Sequence, residues 1–178
     1  MTEPKKFATP LGLFAYVLAA AVVVVDQLSK WWVLNGLHLE ERGQIPVLPV
    51  FRLTMVWNRG VSFGLMRAES QAGRWLLVAA ALAVVVALIA WARRADRPLF
   101  ATALGLVIGG AMGNNLIDRA RIGEVVDFLD FSGLMFPWVF NVADSAISVG
   151  VALLLLDSFI APKPVPQKAP EKVTDKPA

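Results

Sequence analysis

The chain has 178 residues, of which 57% are hydrophobic and 17% charged, with a formal net charge of +3. Soluble domains average about 45–50% apolar and about 25% charged; a chain this short has too little interior to hide the surplus, so lipid is the better solvent for it. The absence of cysteine excludes disulfides, thiolate nucleophiles and cysteine-held metals, and the basic residues lie in tails and connections rather than on one amphipathic face, which argues against nucleic acid as a partner.

A membrane-spanning helix needs about 20 mostly apolar residues. The first candidate is Leu11 to Leu34, uncharged as far as Val25 and then interrupted by Asp26 and Lys30. A cleavable signal peptide is the rival reading. Its apolar region would be long, however, and Asp-Gln-Leu-Ser-Lys-Trp-Trp is a poor cleavage region, so a retained helix anchored by Trp31 and Trp32 is expected. The following connection, 35–74, holds the single histidine, His38, with no catalytic turn around it. Within that connection Arg52, Thr54 and Val56 alternate with Leu53, Met55 and Trp57, which predicts a short β-structure with an apolar face near the membrane surface. Pro46 and Pro49 would suit an edge or a strand start.

The second span runs from Trp75 to Ala92 and is followed by Arg93, Arg94 and Arg97. The third, Leu99 to Ile117, carries Gly105, Gly109, Gly110 and Gly113, small residues of the kind that let helices approach closely in lipid. The fourth runs from Phe140 to Ile160, with Asp144 near its start; Asp157 near its other end is expected to tolerate asparagine. Residues 162–178 are rich in Pro and Lys and predict a disordered cytoplasmic tail, leaving 1–161 as one four-helix transmembrane domain. The expected fold is therefore an all-α membrane protein with four transmembrane helices and a small extracytoplasmic β-structure in the first connection. Lys5, Lys6, the arginine cluster at 93–97 and the lysines at 163, 168, 172 and 176 put both termini on the cytoplasmic side and connections 35–74 and 118–139 outside. Arg42, Arg52, Arg59, Arg67 and Arg74 in the first outer connection make that bias moderate.

Ionisable residues in or beside a span are functional candidates. Five stretches qualify: Asp26 to Lys30, Asn58 to Gly64, Asn115 to Arg119, Val125 to Phe128, and Asn141 to Ser145. In the deduced topology all five gather toward the outer face. Without cysteine or a plausible catalytic histidine, paired carboxylates remain for acid–base work. Two close aspartates share a proton, so one can deprotonate water while the other polarises a carbonyl. The same aspartates could instead bind a cation or pair structurally with Lys30 or Arg119. A small transporter or channel is the main rival class, although no internal repeat of the kind transporters often show is visible; a non-catalytic assembly factor packing through its glycine-rich helix is a second.

Together, Val25-Asp26-Gln27-Leu28-Ser29-Lys30, Asn58-Arg59-Gly60-Val61-Ser62-Phe63-Gly64, Gly109-Gly110-Ala111-Met112-Gly113-Asn114-Asn115-Leu116-Ile117-Asp118-Arg119, Val125-Val126-Asp127-Phe128 and Phe140-Asn141-Val142-Ala143-Asp144-Ser145 resemble, in order, the motifs of bacterial lipoprotein signal peptidases. The resemblance implies an aspartic endopeptidase of the bacterial inner membrane, acting as a monomer toward the outer face. Its substrates would be diacylglyceryl-modified prolipoproteins, cut just before the lipidated cysteine, and no metal or organic cofactor is implied. It implies Asp127 and Asp144 as the catalytic pair. Asn58, Arg59, Gly60, Asn115, Asn141, Asp26 and Lys30 would line or brace the site, with Asp118 and Arg119 as a supporting ion pair. One departure stands out. Asn114 and Asn115 are side by side where many members have one asparagine, which on a regular helix turns the upstream glycines by about 100° relative to Asp118.

Overall fold

The structure is a computed structural model that describes residues 7–60 and 71–160. Val61 to Gly64 of the second polar stretch and the expected tail at 162–178 lie outside the described residues. Among the described residues, four helices are long and apolar enough to cross a membrane: Pro10–Gly36, Gln71–Ala92, Pro98–Ile122 and Val142–Ile160. The third is longer than its apolar run predicts, because the helix continues through Asp118 and Arg119.

The first span is α1 (Pro10–Trp31), extended by a π-helical turn, Trp32–Gly36. Thr9 caps α1: its hydroxyl accepts the Gly12 N–H at 2.9 Å and donates to the Ala95 carbonyl at 2.7 Å. One side chain thus starts the helix and ties it to the connection after the second span. A short α2 (Leu39–Arg42) leads into strands β1 (Gln44–Leu48) and β2 (Phe51–Asn58). The second span is α3 (Gln71–Ala92), and the third is α4 (Pro98–Ala111), continued by π-helical Met112–Arg119 and by α5 (Ala120–Ile122). Then come β3 (Val125–Asp130), β4 (Val139–Phe140) and the last span, α6 (Val142–Ile160).

The third span is the centre of the bundle. Its most apolar stretch is 61% buried, against 28% or less for the others. Glycine makes this possible: a methyl group at Gly109 would lie 2.6 Å from the Ala19 carbonyl oxygen of α1, and one at Gly110 would collide with the Ala143 carbonyl of α6. Outward, α1, α3 and α6 expose Val17, Val24, Leu28, Leu76, Val86, Leu155 and Phe159, a surface suited to lipid rather than water. At the end of the bundle bearing the arginine cluster, Asp157 is buried and its Oδ2 pairs with Arg97 Nη2 at 2.9 Å. That corrects the expectation of tolerance at Asp157, because neutralising one partner of a buried pair strands the other.

The β-structure is larger than expected. One antiparallel sheet of order β1-β2-β3-β4 draws two strands from the first connection and two from the third. β1 lies on the edge, where the missing N–H of Pro46 is tolerated. β3 alternates: Val126 and Phe128 pack with Val33, Leu39 and Leu53, while Val125 and Asp127 turn to the opposite face. The β2–β3 register shifts by a residue between Leu53 and Val56, the partner of Asp127. A bulge of this kind bends the strand and re-aims neighbouring side chains.

Candidate active site

Four elements converge where the third span meets the sheet. Asp127 comes from β3, and Asp144 from the first turn of α6. Asn141, just before α6, holds both. Its Nδ2 donates to Asp127 Oδ1 at 2.6 Å, its Oδ1 accepts the Asp144 N–H at 2.9 Å, and its own N–H donates to Asp144 Oδ2 at 3.3 Å. The last two bonds are a reciprocal helix-start cap, with the carboxylate taking the place of the usual Glu three residues on. A local helix signal, Asn-Val-Ala-Asp, therefore fixes the orientation of one candidate acid.

The other carboxylate oxygens are also engaged. Asn58 Nδ2 donates to Asp127 Oδ2 at 3.0 Å, and Asn58 Oδ1 accepts the Gly60 N–H at 3.0 Å, which sets the direction of that amide. Asn114 Nδ2 donates to Asp144 Oδ1 at 2.8 Å. Burial pushes the Asp127 carboxyl up to about 7, and the charge of Asp144 adds to the rise. The amide donors of Asn58 and Asn141 and the Lys30 ammonium pull the other way.

Beneath the pair lies a buried charge cluster. Lys30 Nζ donates to Asp26 Oδ2 at 2.8 Å and to Asn114 Oδ1 at 2.7 Å, and it is ion-paired with Asp118 Oδ2 at 2.7 Å. Gln27 Nε2 donates to Asp118 Oδ1 at 2.8 Å and to Asp26 Oδ2 at 3.1 Å. Asp26 Oδ1 accepts the Ala143 N–H at 3.0 Å, so α1 caps the start of α6. The expected Asp26–Lys30 pair is present. The expected Asp118–Arg119 pair is not: these neighbours point to different partners, and the counter-charge of Asp118 is Lys30. Arg119 Nη2 donates to the Gly60 carbonyl at 2.7 Å and Nε to Asn115 Oδ1 at 3.3 Å, while its buried Nη1 has no partner among the described residues. Arg74 fixes the backbone there by donating to the carbonyls of Arg119 at 2.9 Å and Ala120 at 2.6 Å.

A cavity of about 180 Å³ opens among Asn58, Gly60, Asn114, Asn115, Arg119, Val125, Asp144 and Ile147. Asp144 forms part of its wall, and Asp127 is reached through Asn58. Of the residues named from sequence, Asp127, Asp144, Asn58, Gly60, Asn115, Arg119 and Asn141 form the site or its wall, and Asp26, Lys30 and Asp118 brace it from below. Arg59 is the exception. Its side chain is 70% exposed and pairs with Glu124 at 2.7 Å, away from the cavity; surface pairs of this kind contribute little.

Asn114 is the residue that sequence reasoning missed. It touches Lys30, Asp144 and Asn141. The doubled asparagine falls within the π-helical segment, which takes more residues per turn than an α-helix. The glycines before it and Asp118 after it therefore both keep their contacts: Gly113 abuts Asp26 Oδ2, and Asp118 meets Lys30.

The raised carboxyl has a sign that can be tested. Asp127 holds a proton in the folded protein that an ordinary aspartate releases near 3.8. Stability from this group is full below that pH and is lost as pH rises through about 7. A carboxyl pair that works with one shared proton loses it over the same upper range. kcat/KM is therefore expected to fall as pH rises through about 7. A rate that holds steady well into the alkaline range shows that the proton on Asp127 is not used.

Apolar spanning helices around a buried pair of bridged carboxyl groups fit a multi-pass membrane protein with a site suited to acid–base hydrolysis. The profile of the Signal peptidase (SPase) II family matches residues 18–160. The chain is 56% identical to a lipoprotein signal peptidase of Caulobacter vibrioides over 158 residues, 89% of this chain and 94% of that one. It is 47% identical to one of Methylorubrum extorquens over 88% of each chain. Among solved structures it resembles a bacterial membrane enzyme determined by the in meso method at 1.9 Å resolution, with TM-score 0.70, 27% identity, and coverage of 90% of this chain and 100% of that one. A second such structure, at 2.3 Å, gives TM-score 0.68 at 26% identity, covering 85% of this chain and 94% of that one. The chain belongs to the signal peptidase II family of aspartic peptidases.

Proposed function

We propose that this chain removes the signal peptide from diacylglyceryl-modified prolipoproteins by hydrolysing the peptide bond before the lipidated cysteine, with Asp127 and Asp144 as the catalytic pair. The observation that carries this is Asn141 bridging both carboxyl groups beside a cavity at the end of a membrane helix bundle. One carboxylate takes a proton from water as the water oxygen attacks the scissile carbonyl; the other, protonated, donates to the developing oxyanion. Collapse of the tetrahedral intermediate breaks the C–N bond and returns a proton to the leaving amine. Arg119 Nη1 is available to hold a substrate carbonyl, and Asn58, Asn114 and Asn141 keep the two acids in place. Asp26, Lys30 and Asp118 act as the brace beneath them.

The purified chain in lipid is expected to cleave a diacylglyceryl-modified prolipoprotein and to leave the unmodified precursor intact. Equal cleavage of both would remove the lipid from the recognition rule.

The domain assignment stays with residues 1–161 as the peptidase, working as a monomer, and 162–178 as an accessory tail. The same reading puts both termini in the cytoplasm of a bacterial inner-membrane protein, with the sheet and the two aspartates outside. Reporter fusions after Ile160 are expected to register as cytoplasmic and fusions near Gly43 as external; an external C-terminus overturns the orientation.

A further inference from the structure

The far end of the sheet from Asp127 is an apolar tip with no role in the site. It is built from residues 47–50, the end of β1 and its turn into β2, and 131–138 between β3 and β4, and neither contains a charged residue. They pack on each other: a methyl group at Gly133 would lie 2.6 Å from Val50 Cα. Val47, Leu48, Leu134, Met135, Phe136 and Trp138 are all exposed there, Met135 to 93%. This is not a loose loop. Phe51 and Phe131 pack at 4.7 Å between ring centroids, Phe131 and Phe140 at 5.8 Å, Phe140 and Phe136 at 5.7 Å, and Phe136 and Trp138 at 5.1 Å. A chain of aromatic contacts therefore holds the tip in shape while Val47, Leu48, Leu134 and Met135 stay exposed.

We propose that this tip is a membrane-docking edge that inserts into the lipid interface at the end of the bundle bearing Asp127 and Asp144. Three observations select lipid as the occupant. First, the depth is right: Leu53, Val126 and Phe128 of the sheet pack on Val33 and Leu39. Val33 follows directly on Trp31 and Trp32, whose exposed side chains mark the interfacial level at the end of α1, and Leu39 opens the short helix beyond. Second, the tip is exposed, apolar and uncharged, like the outward surface of the helices, and an apolar patch held in water beside a bilayer is unfavourable when the interface is within reach. Third, the two turns are far smaller than the roughly 20–30 residues a side that a stable protein interface uses, so a second copy is a poor fit. Docked in this way, the sheet lies along the membrane rather than standing off it. The strand carrying Asp127 is then held at the level where a lipid-linked peptide leaves the bilayer. This inference rests on the membrane reading of the chain and stands apart from the identity of its substrate.

The chain has no cysteine, so single thiols can be labelled without background. Met135→Cys and, as a second site, Leu134→Cys would each carry an environment-sensitive fluorophore in the full chain reconstituted in phosphatidylglycerol/phosphatidylethanolamine vesicles. Glu41→Cys, at a side chain 81% exposed, is the aqueous control. Retained cleavage of a prolipoprotein checks that each labelled protein is folded. The tip labels are expected to emit at shorter wavelength than the control, to lose most of their emission to a quencher attached high on the lipid acyl chain, and to resist iodide. Quenching by iodide as strong as at Glu41→Cys, with no response to the lipid-borne quencher, overturns the proposal. Shielding from both quenchers also overturns it, because the tip is then covered by protein.

Discussion

Asp127→Asn is expected to abolish prolipoprotein cleavage while the protein still inserts and folds, and Asp144→Asn likewise. Each keeps the side-chain shape and removes the titratable group. General acid–base catalysis by a positioned group is typically worth about 10²–10⁴ in rate, and loss of a shared-proton pair should cost at least that. The two variants should differ in stability. At position 127 both carboxylate oxygens accept amide donors whose directions are fixed, from Asn58 and Asn141. An asparagine must turn its NH2 toward one of them, which costs about 1–3 kcal/mol, but it also relieves the burial of a carboxylate. At position 144 the NH2 would face either Asn114 or the Asn141 N–H. A weakened helix cap costs about 0.5–2 kcal/mol, and Asp144, less buried than Asp127, gains less from losing its charge. Asp144→Asn should therefore melt below Asp127→Asn, with both inactive. The check is turnover on a lipidated substrate with folded fraction measured on the same samples; substantial turnover in either variant removes the aspartic mechanism.

The spans are legible in the sequence because each is a near-continuous apolar run, and lipid demands little more than length and composition. Asp26 and Lys30 are legible as a pair because four residues separate them on a helix. Pro46 marks an edge strand for a reason of backbone chemistry alone. What escapes is everything decided by partners distant in the chain. Val125 to Asp130 looks like an apolar run broken by two carboxylates, Asp127 and Asp130, and becomes a strand because β2 offers a ladder. Asp118 sits beside Arg119 in sequence, yet its charge is met by Lys30 from another helix, since adjacent residues on a helix face different ways. Asn114 reads as an insertion until the π-helical turns place it between Lys30 and Asp144. The capping pattern of Asn141 and Asp144 is local and was available. Reading it as a helix start explains why that aspartate is held so firmly.

Lys30→Met is expected to be the most destabilising single change in the brace. Lys30 and Asp26 are nearly or completely buried, as is Asp118. One ammonium faces two carboxylates, so its removal leaves two buried negative charges without their counter-charge and takes one of two donors from the Asn114 carbonyl oxygen. Breaking a buried ion pair from one side costs about 3–5 kcal/mol, because the stranded charge keeps its desolvation penalty. The damage should reach the chemistry as well. Asp26 caps Ala143 at the start of α6, and Asn114 connects Lys30 to Asp144, so the candidate acid moves when the cluster relaxes. Lys30→Met should therefore lower Tm and folded yield in detergent and reduce activity even in the fraction that folds. Asp118→Asn alone should be milder, since Lys30 keeps Asp26 and the new amide oxygen can still accept a hydrogen bond. The double variant Lys30→Met/Asp118→Asn should then recover part of the stability lost in Lys30→Met, because one of the stranded charges has gone. A double variant less stable than Lys30→Met by the full cost of Asp118→Asn would show that the two residues act independently. The brace would then be held by packing around the π-helical segment rather than by charge.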